Sequence, residues 1–103
     1  MPQSSYTLPE DHTAFLARKI HDDRRLECIV ALVGPGGGRI ADHAHAHDHL
    51  IYVIDGSVTV RFDGNDIVVG KDQTLLVPAG TLHAIRNPDH VAAARIVRIE
   101  IRG

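Results

Sequence analysis

The sequence has 103 residues and a formal charge of −2 with histidine neutral, which suits one small domain and gives no basic surface of the kind that binds nucleic acid. Its single cysteine excludes an internal disulfide framework, and no apolar run approaches the roughly 18 residues of a membrane span. The start of the chain has neither the basic nor the apolar region of a signal peptide, so we expect a cytoplasmic protein with no nucleic-acid or membrane partner.

The first part of the chain is polar and is expected to form an arm. Residues 13–20 mix apolar and charged side chains without a clear period, so they are compatible with a short helix or with a strand. Residues 26–33 are almost continuously apolar and predict a strand buried on both faces, with Cys28 as a buried thiol. The run GPGGG at residues 34–38 predicts a loop; no lysine or helix pattern follows it, which excludes a nucleotide-binding loop.

Histidines occupy alternate positions in the next stretch, at His43, His45, His47 and His49. In one unbroken strand they would share a face, but His43 and His49 would lie about 20 Å apart, too far for one metal with bonds of about 2 Å. Either this is a solvated row of histidines or the chain bends within it. An apolar lead-in at residues 40–41 and a β-branched and aromatic run at residues 50–54 favour a bend with its corner at residues 46–48.

Short apolar segments and turn sequences alternate in the second half of the chain. The pair Asp63-Gly64 lies between residues 58–62 and 67–69 and predicts a tight β-hairpin. Residues 75–77 run into the turn sequence Pro78-Ala79-Gly80, and His83 follows directly after it.

The last segment, residues 93–102, alternates in character. Its two sides are Val97, Ile99 and Ile101 on one face and Arg98, Glu100 and Arg102 on the other, as in a half-exposed strand. Several short strands, frequent turns and almost no helix indicate an antiparallel sandwich or barrel.

Two of these spacings resemble the motifs of a known family. Gly37-x5-His43-x-His45-x3-His49-x6-Gly56 is similar to the first cupin motif, with His49 where that motif usually has Glu. Pro78-x-Gly80-x2-His83-x3-Asn87 is similar to the second, with Asp72 where the pattern expects its opening Gly. The resemblance implies an all-β, cupin-type jelly-roll barrel (double-stranded β-helix) over residues 26–103, preceded by a short N-terminal arm over residues 1–25.

The resemblance also implies that His43, His45, His49 and His83 hold one divalent transition metal per chain. Imidazole ligands leave its identity open among iron, manganese, nickel, copper and zinc. The alternative is a solvated histidine-rich loop that binds metals adventitiously. Without the family's Glu, the centre would carry one more positive charge and would favour anionic ligands such as an enolate or a carboxylate. Four ligands in a tetrahedron would make a structural zinc site, whereas an octahedral ion, which the resemblance favours, keeps two positions open.

Side chains on the same strand faces as the histidines are expected to line a substrate pocket; they are Ile51, Val53, Phe62, Leu75 and Ile85. Tyr52 has the opposite parity to His49 and is expected to pack away from the metal. His47 is expected to face solvent at the corner. Asp42 and Asp48 are the nearest carboxylates; either could orient a ligand imidazole, although carboxylates at strand ends are mostly solvated.

The leading interpretation is a metal-dependent, dioxygenase-like enzyme that acts on a small enolisable or phenolic substrate, as the resemblance implies. No proton-transfer residue is identified beyond the ligands, so a non-catalytic ligand-binding or sensor cupin is an alternative. A metal-assisted isomerase or lyase is a third, and it would need a carboxylate or a tyrosine beside the metal. The outward strand faces carry Leu50, Tyr52 and Ile54, from which we expect a homodimer.

Overall fold

The backbone consists of β-strands joined by short turns. The computed structural model describes residues 6–39 and 42–102, and within them the chain forms eight strands and no helix. The strands are β1 (His12–Asp22), β2 (Leu26–Arg39), β3 (Asp48–Asp55), β4 (Ser57–Phe62), β5 (Asn65–Gly70), β6 (Thr74–Val77), β7 (His83–Arg86) and β8 (Ala94–Ile101). The expected all-β class is confirmed. A helix long and apolar enough to cross a membrane is accordingly not found in these two ranges.

Neighbouring strands pair antiparallel in the order β5-β4-β7-β2-β8-β3-β6, and β1 adds to β2. Strand β2 connects the two halves of this sheet. Residues 26–33 pair with β8, whereas Gly38, near the other end of the strand, pairs with Arg86 of β7. The long strand β2 thereby wraps the sheet into the expected jelly-roll barrel.

The predicted hairpin between residues 58–62 and 67–69 is present as β4 and β5. Phe62 and Asn65 are paired, so Asp63 and Gly64 form a two-residue loop. Both loop residues have positive φ, 49° and 85°, as a type I′ turn requires. The prediction of a tight turn at this point is confirmed.

The glycine-rich run belongs to β2 and is not the loop that the sequence predicts over residues 34–38. A Cβ atom on Gly37 would lie 2.3 Å from the carbonyl oxygen of Ala14, and one on Gly38 would lie 2.2 Å from that of Ile85. Gly38 also has a φ of 140°. Glycine at these positions lets strands on both sides approach β2 closely, which composition alone does not distinguish from loop flexibility.

Residues 13–20, whose structure the sequence left open, form most of strand β1. This strand pairs with β2 from His12 opposite Arg39 to Asp22 opposite Glu27. The division into an arm over residues 1–25 and a barrel over residues 26–103 stays a prediction. Residues 1–5, the lead-in at residues 40–41 and Gly103 lie outside the described residues.

Aliphatic side chains fill the interior of the barrel. The largest of the fully buried ones are Val33, Ile51, Val53, Val58, Val60, Val77 and Ile96. On β8 the predicted alternation is present, and the inward side is the one that carries Ile96, Arg98 and Glu100. Ile101, on the opposite side, is 43% exposed. Cys28 is half-buried on β2, and burial raises the pKa of its thiol.

Candidate metal centre

Backbone hydrogen bonds join the two histidine-bearing segments. The His43 N–H donates to the His83 carbonyl at 2.9 Å, and the His83 N–H donates to the His43 carbonyl at 2.8 Å. The Gly80 N–H donates to the His45 carbonyl at 2.9 Å. Main-chain bonds therefore hold the turn that precedes His83 against the histidine stretch.

The expected corner lies between His45 and His49. Ala46 and His47 form a bend, and β3 begins at Asp48. The Asp48 carboxylate accepts a hydrogen bond of 2.8 Å from the Ala79 N–H, which ties the corner to the Pro-Ala-Gly turn. This bond gives Asp48 a structural role at the base of the site.

The bend brings the four predicted ligand rings into one cluster. The ring centroid of His43 is 4.1 Å from that of His45 and 4.4 Å from that of His83. The Nε2 atoms of His43 and His45 are in direct contact. One ring nitrogen from each of His43, His45 and His83 can be chosen so that all three lie within 4.8 Å of one another. Three imidazoles at this separation can bind one transition-metal ion.

His49 reaches the cluster from β3 and lies just outside that group of three. Its ring centroid is 3.9 Å from that of His45 and 6.3 Å from that of His83. Only 2% of the residue is exposed, and neither of its ring nitrogens has a hydrogen-bond partner among the described residues. Buried nitrogens normally have partners, so this ring has two polar atoms that a metal or a bound water would satisfy.

The protonation state of the four imidazoles also suits metal binding. Burial, followed by the neighbouring rings, lowers the pKa of His43 and His45 to about 3, and burial lowers that of His49 to about 4. Burial lowers the pKa of His83 as well, and its Nδ1–H donates to the Thr81 carbonyl at 2.9 Å, which leaves Nε2 as the free lone pair. Metal ligation requires neutral imidazoles, and these rings are neutral at pH 7.

A carboxylate also lies beside the histidines, and it is not among the site residues expected from the sequence. Glu100 of β8 is half-buried, and its Oε1 atom is 3.6 Å from Nε2 of His49. Its Oε2 atom accepts a hydrogen bond of 2.9 Å from Nε of Arg102. The alternating sequence of β8 indicates two faces, but it does not show which of them points into the barrel.

A cavity of about 240 Å³ opens next to His43. The segment before β2 supplies much of its wall, and His43 and the strands β2, β7 and β8 supply the rest. The lining residues are Thr7, Pro9, His12, Phe15, Ala17, Lys19, Ile29, Ala31, Arg39, His43, Ile85, Ile96 and Arg98. His12 is half-buried here against the ring of Phe15, at 4.5 Å between centroids.

Of the five predicted pocket residues, Ile85 lines this cavity. Ile51 and Val53 are fully buried in the hydrophobic core, and Phe62 and Leu75 pack against that core as half-buried residues. Contact of these four with a substrate stays a prediction.

The remaining polar candidates lie around the cluster. His47 is exposed, and Asp42 lies 3.4 Å from the Arg61 guanidinium in a partly exposed ion pair. The Tyr52 hydroxyl donates to the Asp72 carboxylate, so this tyrosine is engaged away from the histidines. Asp72 stands where the second motif opens with Gly, and its φ of 61° keeps the backbone conformation that glycine adopts readily.

The sequence profile of the cupin domain matches residues 29–100, a range that includes all four clustered histidines. This chain belongs to the cupin family. The match extends from β2 to β8, so it covers the strands that carry the site but not β1.

Two curated relatives illustrate the range of this cupin's similarities. Quercetin 2,3-dioxygenase from Bacillus subtilis is 35% identical over 80 residues, which are 77% of this chain and 23% of that protein. Tetracenomycin polyketide synthase protein TcmJ from Streptomyces glaucescens is 33% identical over 64 residues, which are 61% of this chain and 43% of that protein. The matched region thus spans less than half the length of either relative.

Solved structures share the fold of this cupin over nearly its whole length. The polyketide cyclase RemF from Streptomyces resistomycificus superposes with a TM-score of 0.85 at 20% identity, over 97% of this chain and 75% of that one. An RmlC-like cupin from Shewanella frigidimarina gives 0.81 at 19% identity, over 98% and 86% of the two chains. At these identities the likeness concerns the fold alone.

Proposed function

We propose that this cupin is a metal-dependent enzyme of the dioxygenase type that acts on a small enolisable or phenolic molecule. In this proposal one divalent transition metal per chain is held by His43, His45, His49 and His83. The observation that supports it most is the convergence of four neutral, mostly buried imidazoles beside a cavity of substrate size. The similarity to quercetin 2,3-dioxygenase supports the same reaction class.

Held by His43, His45, His49 and His83, a bound metal would supply Lewis-acid polarisation of a substrate oxygen and a site for dioxygen. A dioxygenase places both atoms of O₂ in its products, so the proposal needs no separate reductant. The residues of the chain have simpler roles. Phe15, Ile85 and Ile96 give the cavity an apolar wall that holds a ring or an alkyl group and excludes water. Glu100 lies close enough to His49 to fix the orientation of that imidazole.

A non-oxidative reaction, such as metal-assisted isomerisation, lyase chemistry or cyclisation, is a second candidate, and Glu100 is the observation that favours it. This chemistry would need a carboxylate or a tyrosine beside the metal, and Glu100 is a half-buried carboxylate next to the cluster. The similarity to the polyketide synthase protein TcmJ supports a substrate of the polyketide type.

The first experiment is to measure the metal content of untagged protein purified without a nickel column, beside His83→Ala and His47→Ala variants. We expect about one transition metal per chain in the wild type and in the His47→Ala variant, and loss of the metal in the His83→Ala variant. Stoichiometric zinc without activity would indicate a structural site. Little metal in the wild type, with no uptake on titration, would contradict the proposal.

The second experiment separates the two reaction classes. Metal-loaded protein is incubated with quercetin and with a 1,3-diketone, and oxygen consumption and product formation are followed in air and under nitrogen. Oxygen uptake that depends on His83 supports the dioxygenase proposal. Conversion of equal rate under nitrogen assigns the non-oxidative alternative.

We further propose a homodimer, which the apolar outward side of β3 and β8 supports. The cytoplasmic location stays a prediction.

A further inference from the structure

The cavity beside His43 is cationic. Three of its lining residues, Lys19, Arg39 and Arg98, carry positive charge, and none of the described lining residues is a carboxylate. Two of these cations have acidic neighbours outside the lining. Lys19 Nζ is 2.9 Å from Oε2 of Glu27, and the Arg39 guanidinium is 3.9 Å from the Asp11 carboxylate. The third cation, Arg98, differs from both.

No hydrogen bond or ion pair joins the Arg98 guanidinium to another residue in the described part of the chain. On the sheet, Arg98 lies between Ile29 of β2 and Ile51 of β3. Two carboxylates act on it by charge, Glu27 and Glu100, but Arg102 already donates hydrogen bonds to both, at 3.1 and 2.9 Å. Burial also lowers the pKa of Arg98.

Arg98 is half-buried, and a partly desolvated guanidinium without a protein partner weakens a fold unless water or a ligand of opposite charge satisfies it. The cavity that Arg98 lines has room for such a ligand, and apolar side chains of Phe15, Ile85 and Ile96 lie in the same wall. The cavity therefore offers one uncompensated cation and an apolar surface together.

We propose that Arg98 binds the carboxylate of a small organic monoanion whose apolar part packs against Phe15, Ile85 and Ile96. The planar guanidinium matches a carboxylate through two parallel N–H···O bonds. A single uncompensated cation suits one negative charge, which disfavours a doubly charged phosphate monoester. The inference deepens the proposed function, on which it rests for the identity of this anion as the substrate.

The position of Arg98 relative to the histidines agrees with a ligand that extends from the guanidinium to the metal centre. Arg98 and His43 line the same cavity. On the sheet, Arg98 pairs with Ile51, which is two residues along β3 from His49. A carboxylate on Arg98 would leave the other end of a small molecule beside the clustered rings.

The test compares benzoate with benzamide, which has the same shape and no charge. Both are titrated calorimetrically into the protein as purified and into protein freed of metal by a chelator. We expect the metal-free protein to bind benzoate and to bind benzamide on the order of 10- to 100-fold more weakly. The Arg98→Gln variant should bind benzoate more weakly than the wild type by a similar factor. The Arg98→Lys variant should have an intermediate affinity, because lysine keeps the positive charge but cannot form two parallel hydrogen bonds to a carboxylate.

The matched control is Arg95→Gln, because Arg95 lies on the same strand and its side chain is exposed. It should bind benzoate as the wild type does. Thermal unfolding without ligand provides a second readout. Arg98→Met should unfold at the same or a higher temperature than the wild type, since it removes an uncompensated charge.

Equal affinity for benzoate and benzamide would overturn the inference, and so would unchanged benzoate binding by Arg98→Gln. A clearly lower unfolding temperature of Arg98→Met would also overturn it, because Arg98 would then have a structural partner. Benzoate binding that requires metal and ignores the Arg98 substitutions would assign the anion to the metal; the proposed function would stand and this inference would fail. Conversely, Arg98-dependent binding by a protein that takes up no metal would support the inference and contradict the proposed function.

Discussion

Glu100 lies directly across the sheet from His49, with its Oε1 atom 3.6 Å from Nε2 of the imidazole. The register of β3 and β8 sets this relationship, because it pairs the two residues. Position 49 is where the first cupin motif usually has Glu. The negative charge that the His49 ring lacks is therefore present on the neighbouring strand, and the centre is less positive than the four histidines alone suggest.

Replacing Glu100 with Gln should weaken metal binding. The substitution keeps the side-chain shape and removes the charge next to His49, and partners of metal-ligating histidines commonly contribute about 10-fold or more to metal affinity. A competition titration against a chromophoric chelator measures the change. Glu10→Gln, an exposed Glu of the same chain, is the control. Unchanged affinity in Glu100→Gln would show that Glu100 has no influence on the metal.

Binding of the metal should stabilise the fold. A ligand present at 100 times its dissociation constant adds about 2.7 kcal/mol to the free energy of unfolding, which in a domain of this size raises the unfolding temperature by roughly 10 °C. Calorimetric scans of metal-free protein with increasing Zn²⁺ or Mn²⁺ measure this rise. The His83→Ala variant should show little of it. A similar rise in that variant would place the stabilising ion elsewhere.

Gly38→Ala should be far more destabilising than Gly36→Ala. Both glycines have positive φ, but a Cβ on Gly38 would lie 2.2 Å from the Ile85 carbonyl, whereas one on Gly36 meets nothing within 4 Å. We expect a loss of about 1 kcal/mol for Gly36→Ala and at least about 3 kcal/mol for Gly38→Ala. Urea unfolding of the two variants gives the comparison. Equal losses in the free energy of unfolding would mean that β7 approaches β2 less closely at Gly38 than these distances indicate.

Leu50→Glu should convert the expected dimer into a monomer. Cys28, Ile99 and Leu50 are neighbours across β2, β8 and β3 and form a half-buried row on the outward side of the sheet. A charge in the centre of an apolar interface is strongly unfavourable. Sedimentation velocity at micromolar concentration measures the state.

Val68→Glu is the control for the dimer, since Val68 is 68% exposed on β5. It should leave the association unchanged. A wild-type protein that sediments as a monomer would remove the prediction, and a Leu50→Glu variant that remains dimeric would move the interface to another face.

Local signals in the sequence were sufficient for the hairpin of β4 and β5 and for the bend between His45 and His49. The Asp63-Gly64 pair favours positive φ, and one metal could bind both His43 and His49 only if the histidine stretch folds back on itself. These are properties of a few adjacent residues, and they do not depend on the rest of the fold.

The inward side of β8 could not be predicted in the same way. Val97 and Ile99 have the composition of a core face, yet Ile96, Arg98 and Glu100 face the interior. That orientation depends on the register with β2 and β3, which are distant in the sequence. The close approach of β7 to Gly38 likewise depends on residues that are distant in the sequence. The glycine-rich run alone therefore indicated a loop where the structure has a strand.

The wall of the cavity has a consequence for how this protein relates to other cupins. Thr7, Pro9, His12, Phe15 and Lys19 lie before residue 29, where the similarity to the cupin profile begins. About half of the residues that line the cavity thus lie outside the segment that the cupin profile describes, whereas all four clustered histidines lie inside it. Relatives with identical histidines can differ in what they accept, and exchange of residues 6–22 between two such proteins should transfer selectivity while the chemistry of the centre is retained.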